Sequence, residues 1–211
     1  MNVKIGSKYK IFANMFAEDE LIATRFEVNV KFITNSENPY EYATAINRAA
    51  FFLTEMCENA IFVDDDSLEE YPELDNMGVD IIVLPNIACE QIIGVMLFCK
   101  LNAIMESKVF VDELSIKVDA GRKYEYFHNR EDPLDEFDEM GWWHEKTLSI
   151  RHPENLSSEK RQTYFESLPT WANLQLEMGE DEITPPIDTK VDSDGDVLFV
   201  DFKKPSKDPE N

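Results

Sequence analysis

The stretch from Ile22 to Thr34 constrains the fold more than any other part of the chain. In IATRFEVNVKFIT, Phe26, Val28, Val30 and Phe32 alternate with Glu27, Asn29 and Lys31. Successive side chains of a strand point to opposite faces, so this period of two predicts a strand with one buried face and one wet face. Such a strand belongs to a sheet that is covered on one side only.

The remaining segments predict what covers it. Residues 3–14 alternate more weakly and read as a partner strand. Asn38 and Pro39 form a helix entry, with a capping side chain followed by a proline at the first helical position. The helix runs to about Cys57, with Tyr42, Ile46, Ala49, Leu53 and Met56 at helical spacing and Ala50 and Phe52 widening the stripe. A short apolar stretch, Ala60 to Val63, leads into an acidic loop of Asp64, Asp65, Asp66, Glu69, Glu70, Glu73 and Asp75. Val79 to Leu84 reads as a short buried strand ended by Pro85 and Asn86. Residues 88–105 read as a helix apolar on most sides. Val109 to Val118 and Arg122 to His128 read as strands paired across a turn at Ala120-Gly121.

The predicted class is α+β: an antiparallel sheet with two helices on one face, in the order ββαβαββ, plus a C-terminal extension. Three regions are expected: 1–128 as the α+β domain, 129–177 as an acidic, Trp-containing extension with a short helix, and 178–211 as an acidic flexible tail. In the extension, Trp142 and Trp143 are expected to pin the chain onto the sheet. Residues 157–175 read as a helix capped by Ser157, with Tyr164, Phe165, Leu168 and Trp171 on its apolar face and Pro169 dividing it. Within the tail, a hairpin turn is expected at Asp194-Gly195. The apolar island after it (Val197, Leu198, Phe199, Val200 and Phe202) is free to add a strand to a sheet edge, in this protomer or in a partner.

The chain has 211 residues, 43% of them hydrophobic and 11% aromatic, enough for a sizeable core. Its 43 acidic residues against 20 basic ones give a net charge of -23. That balance argues against direct nucleic-acid binding, which depends on Lys and Arg releasing counterions. It is compatible with a solvated acidic surface, a basic protein partner, or imitation of nucleic acid. No apolar run reaches membrane-spanning length, and the N-terminus carries no apolar leader, so a cytoplasmic protein is expected. Cys57, Cys89 and Cys99 all fall in helical apolar stretches, contain no CxxC, and read as reduced buried thiols. The histidines, His128, His144 and His152, are spaced like no known metal motif.

The segment Val83 to Ile93 (VLPNIACEQII) resembles a signature of the tunnelling fold, the family of 6-pyruvoyl-tetrahydropterin synthase and 6-carboxytetrahydropterin synthase. Asn86, Glu90 and Ile92 match it. Ile87, Ala88 and Gln91 stand where Pro, Thr and Asn are usual. Val109 to Leu114 (VFVDEL) resembles the strand whose glutamate anchors the pterin or purine ring, which would be Glu113. Asn59 to Leu68 (NAIFVDDDSL) resembles the Asp-His stretch after the first helix. The resemblance covers residues 1–128 and implies ligand-binding roles for Glu113 and Glu90.

It also implies zinc on three histidines, and here this chain departs. The corresponding positions fall at Asn14 or Met15 and on Ile22, Ala23 and Thr24, which cannot bind zinc in the family's way. The catalytic histidine aligns with Asn59, which cannot act as a general acid or base near neutral pH. The cysteine before the histidine pair is missing too. The expectation is therefore a non-catalytic binding or assembly protein, a homo-oligomer working through protein contacts, with no cofactor and no metal. Two alternatives stay open: a diverged enzyme or binder of pterin- or purine-like ligands, and an acidic inhibitor that imitates nucleic acid.

Overall fold

A computed structural model describes residues 3–119, 123–153, 156, 158–178 and 198–199. Strands β1 (Lys4–Ala17) and β2 (Glu20–Thr34) form a long hairpin, turned at Glu18 and Asp19, both in the left-handed region (φ 53° and 64°). Asn38 accepts a hydrogen bond from the Tyr40 N–H at 3.0 Å and starts helix α1 (Pro39–Phe51), with the proline in its first turn as expected. The helix continues through a π-helical turn, Phe52–Met56.

Strand β3 (Ile61–Asp64), helix α2 (Asp65–Glu70), a 3-10 turn at Pro72–Asn76 and strand β4 (Ile81–Leu84) follow. Helix α3 (Glu90–Ile104) then leads to the hairpin of β5 (Val109–Asp119) and β6 (Lys123–Asn129). Short 3-10 turns at Asp135–Asp138 and Trp142–His144 precede helix α4 (Ser158–Ser167), and strand β7 (Leu198–Phe199) lies furthest along the chain.

All these strands join one sheet in the order β4-β3-β1-β2-β5-β6, with β7 also pairing β1. The sheet is mixed, which corrects the antiparallel expectation. β1, β2, β5 and β6 pair antiparallel, but β3 runs parallel to β1, β4 parallel to β3, and β7 parallel to β1. The physical reason is the connections. β4 is reached from β3 by a helical crossover, which returns the chain in the same sense, whereas a tight hairpin reverses it. β3 runs against β2, the strand before α1, and is parallel to β1 because it joins the outer edge of that strand. The expected order lacked one strand, because the apolar stretch before the acidic residues is β3 itself. The acidic loop is also corrected. Asp64 accepts hydrogen bonds from the Ser67 N–H (2.9 Å) and hydroxyl (2.7 Å) and caps α2, whose first turn holds Asp65 and Asp66, where carboxylates favour the helix dipole.

Two apolar clusters hold the layers together. In the larger, Phe26, Val28, Val30 and Phe32 of β2 pack with Ala45, Ala49, Leu53 and the buried flank of α3. Phe137, Trp142, Trp143, Leu148 and Ile150 belong to the same cluster. Each fully buried side chain of this size contributes about 1.5–3 kcal/mol. In the smaller cluster Phe16, Ile61, Val63, Leu68, Leu74, Ile81 and Val83 pack on the opposite face of β3 and β4. That second cover explains why every residue of β3 and β4 is buried.

The tryptophan pair pins the later chain to the sheet, as expected. The Trp142 indole donates to the Val83 carbonyl at 2.9 Å, and the Val83 N–H donates to the Ile150 carbonyl at 3.0 Å, so the outer edge of β4 is occupied. Cys57 and Cys99 are buried, and burial pushes both thiols up, Cys99 to about 12. Cys89 is corrected: it is half-buried at the extended N-cap of α3, ahead of the helix. The helix expected over 157–175 ends at Ser167, before Pro169. Ser157 and the turns expected at Ala120-Gly121 and Asp194-Gly195 lie outside the described residues. Among the described residues no helix is long and apolar enough to cross a membrane.

Candidate interaction surface: the open face and edges of the sheet

The alternation that buries Phe26, Val28, Val30 and Phe32 sends Arg25, Glu27, Asn29 and Lys31 to the other face. Neither α1 nor α3 covers that side. The register places Lys10 and Lys117 opposite Glu27, Lys8 and Ser115 opposite Asn29, and Glu113 opposite Lys31. Glu125 then lies opposite Lys117, and Phe127 opposite Ser115. The result is a checkerboard of cross-strand pairs: Lys31–Glu113 at 2.5 Å, Lys8–Glu27 at 2.7 Å, Lys117–Glu125 at 3.1 Å and the Asn29 amide on the Ser115 hydroxyl at 3.2 Å. The hydrogen bond from the Lys8 ammonium holds the Glu27 carboxyl below the usual range. The register slips between Lys31 and Phe32, so Asp112 is the extra residue of a bulge, and its carboxylate lies 3.5 Å from the Lys4 ammonium.

This face differs in charge from the rest of the chain. Its described side chains include six bases (Lys4, Lys8, Lys10, Arg25, Lys31, Lys117) and four acids (Glu27, Asp112, Glu113, Glu125), in a chain of net charge -23. Two aromatic rings stand out of it: Phe12, 53% exposed beneath the Arg25 guanidinium, and Phe127, 51% exposed.

Glu113 thus lies on the open face, already paired with Lys31. Glu90 lies elsewhere, in the first turn of α3. Helix α3 packs on the face that carries Leu114 and Ile116, and Glu113 alternates away from it, so the structure does not bring these two carboxylates together.

The positions that the resemblance assigns to zinc do converge. Met15 pairs with Ile22 and Ala13 with Thr24 across the hairpin, which puts Met15, Ile22 and Thr24 on one face. The Asn59 N–H donates to the Phe12 backbone carbonyl nearby at 2.6 Å, with Asn59 itself in the left-handed region (φ 61°). The donor set there is a thioether, an aliphatic chain and a hydroxyl that donates to the Ile22 carbonyl at 3.2 Å. It offers no imidazole or thiolate, and these residues do not fit zinc.

The three histidines serve packing. His128 is buried against Phe98, with its Nδ1 3.0 Å from the Tyr126 hydroxyl, and burial lowers its pKa. His144 Nε2 lies 2.6 Å from the Phe137 carbonyl, and His152 stacks edge-on with Trp143.

The sheet edges complete the surface. β6 ends the sheet, and no strand pairs its outer edge among the described residues. Sequence reasoning placed Lys31 on the wet face of its strand but singled out neither this edge nor Lys8 and Phe127. The signal available was the alternation of Glu125, Phe127 and Asn129 with Tyr126 and His128, which marks the wet face of an edge strand.

No family model matches the chain, and no curated protein matches it. Among solved structures the chain is similar to 6-pyruvoyltetrahydropterin synthase of Plasmodium vivax in two catalytic-residue mutants, each with 9% identity, a TM-score of 0.39, and coverage of 61% of this chain and 99% of that one. It is also similar to 6-pyruvoyl tetrahydropterin synthase of Plasmodium falciparum, with 10% identity, a TM-score of 0.38, and coverage of 61% and 98%.

Proposed function

We propose that this chain is a non-catalytic assembly protein that associates with further copies of itself through its sheet, on a scaffold of tunnelling-fold type. The observation that carries the reading is the edge of β6, which no strand pairs from Lys123 to His128 among the described residues, beside an open face on which Phe127 stands half exposed. An unpaired row of backbone donors and acceptors invites another strand unless charge, proline or a bulge blocks it. β6 holds no proline, and the bulge lies in β5, on the side away from the edge. The scaffold reading draws support from Met15, Ile22 and Thr24 meeting on one face, the geometry that three metal-binding positions require. The non-catalytic reading draws support from what those residues are.

Light scattering tests it. The full chain is expected to form a defined oligomer at micromolar concentration, and Phe127→Asp is expected to raise the dissociation constant about tenfold, equivalent to about 1.4 kcal/mol. A chain that stays monomeric into the high micromolar range refutes the assembly reading.

A further inference from the structure

The two outer edges of the antiparallel strands are in different states. β6 has no strand partner on its outer side among the described residues and is closed only at Asn129, whose N–H donates to the Asp132 carboxylate and whose carbonyl accepts from the Asp132 N–H, whereas β1 is held at both ends. At one end Asn14 and Met15 pair with β3, the Asn14 N–H donates to the Ala60 carbonyl, and the Phe12 carbonyl accepts from Asn59. At the other end Ile5 and Gly6 pair with β7. The outward-facing backbone groups of β1 belong to its even residues, as Phe12 and Asn14 demonstrate, so those of Lys8 and Lys10 also face outward. Between the two held ends, Ser7 to Ile11 have no strand partner on that side among the described residues.

The edges are complementary in sense. Three successive antiparallel pairs separate β1 from β6, so the two run in opposite directions. β6 of one copy laid along β1 of another continues the sheet antiparallel. The free stretch of β6, Lys123–His128, does not fit between Ser7 and Ile11. It needs the edge open to Gly6, which pairs with Phe199 of β7.

We propose that β7 is a plug: it occupies the part of the β1 edge that a second copy's β6 requires, and self-association proceeds only as β7 leaves. This rests on the assembly reading above and adds its regulation. β7 spans two residues and pairs in parallel, the slightly weaker arrangement per residue. It holds the edge because it is tethered, which gives it a high effective concentration against a free competitor. A longer antiparallel strand displaces it once enough copies are present.

The experiment compares the full chain with the full-length Leu198→Pro/Phe199→Pro variant, which removes both N–H donors of β7. Sedimentation velocity is run on each from low to high micromolar concentration. The variant is expected to associate about tenfold more tightly, and a synthetic peptide of residues 195–203, added in excess, is expected to reverse that gain. Equal dissociation constants overturn the plug and leave the assembly reading standing. Weaker association of the variant also overturns it, by making β7 part of the contact. If neither chain associates at any concentration, both readings fall.

Discussion

Lys100 is the residue whose environment has the clearest measurable consequence. It is fully buried in α3, its Nζ donates to the carbonyls of Trp142 and Glu145 at 2.9 Å each, and it lies over the rings of Trp142 and Phe52. Burial pushes its pKa down to about 7, with the Glu145 carboxylate acting weakly the other way. The folded protein therefore binds the Lys100 proton less readily than the unfolded chain does. Between about pH 7 and the ordinary lysine value, the unfolded state holds more protons, so stability rises with pH there and is lost as pH falls toward 7. The slope is at most about 1.4 kcal/mol per pH unit. Urea unfolding of the wild type and of Lys100→Met at pH 7.5 and pH 9 checks this. The gap between them is expected to shift with pH in favour of the wild type at pH 9, and a constant gap contradicts it. The sequence displays Lys100 as a lone base in an apolar run but hides its partners, because the two carbonyls come from a turn more than forty residues further on.

At the scale of elements, the contact of α3 with β6 is set by Gly94. A Cβ there would lie 2.6 Å from Tyr126 Cδ1 and 3.3 Å from Ile116 Cγ2. Gly94→Ala gains about 1 kcal/mol of helix propensity but forces the ring that bonds His128 to move, a strain of about 1–3 kcal/mol. A net loss of stability is expected by thermal denaturation, recovered in part by adding Tyr126→Ala. At the start of α1, Asn38→Ala is expected to cost about 1 kcal/mol by the same measurement, because the Tyr40 N–H loses its acceptor. Elements with a strong local period were legible: β2 by its alternation, α1 by its cap and stripe, α3 by its length. β3 was not legible as a strand, since four consecutive buried residues have no period, and its parallel pairing depends on joining the distant edge of β1, which no local pattern records. α2 escaped because its acidic first turn looks like a solvated loop until Asp64 is seen to cap it. The open face was half legible. Glu27, Asn29 and Lys31 announced a wet face, but which charges meet on it follows from a register that includes a bulge.

At the scale of the whole molecule, the net charge of -23 opposes compaction, and the cross-strand pairs of the open face offset only a small part of it. Added salt screens repulsion between exposed charges, so the melting temperature is expected to rise from low to physiological ionic strength. A fall would mean that the attractive pairs dominate. A different consequence follows from the closure of β4 by Trp142 and Ile150. On the ribosome, β4 and α3 emerge well before the residues that cover the Val83 backbone and receive the Lys100 ammonium. Until residue 150 has left the exit tunnel, the outer edge of β4 is unsealed and the Lys100 amine lacks the two carbonyls that receive it in the finished fold.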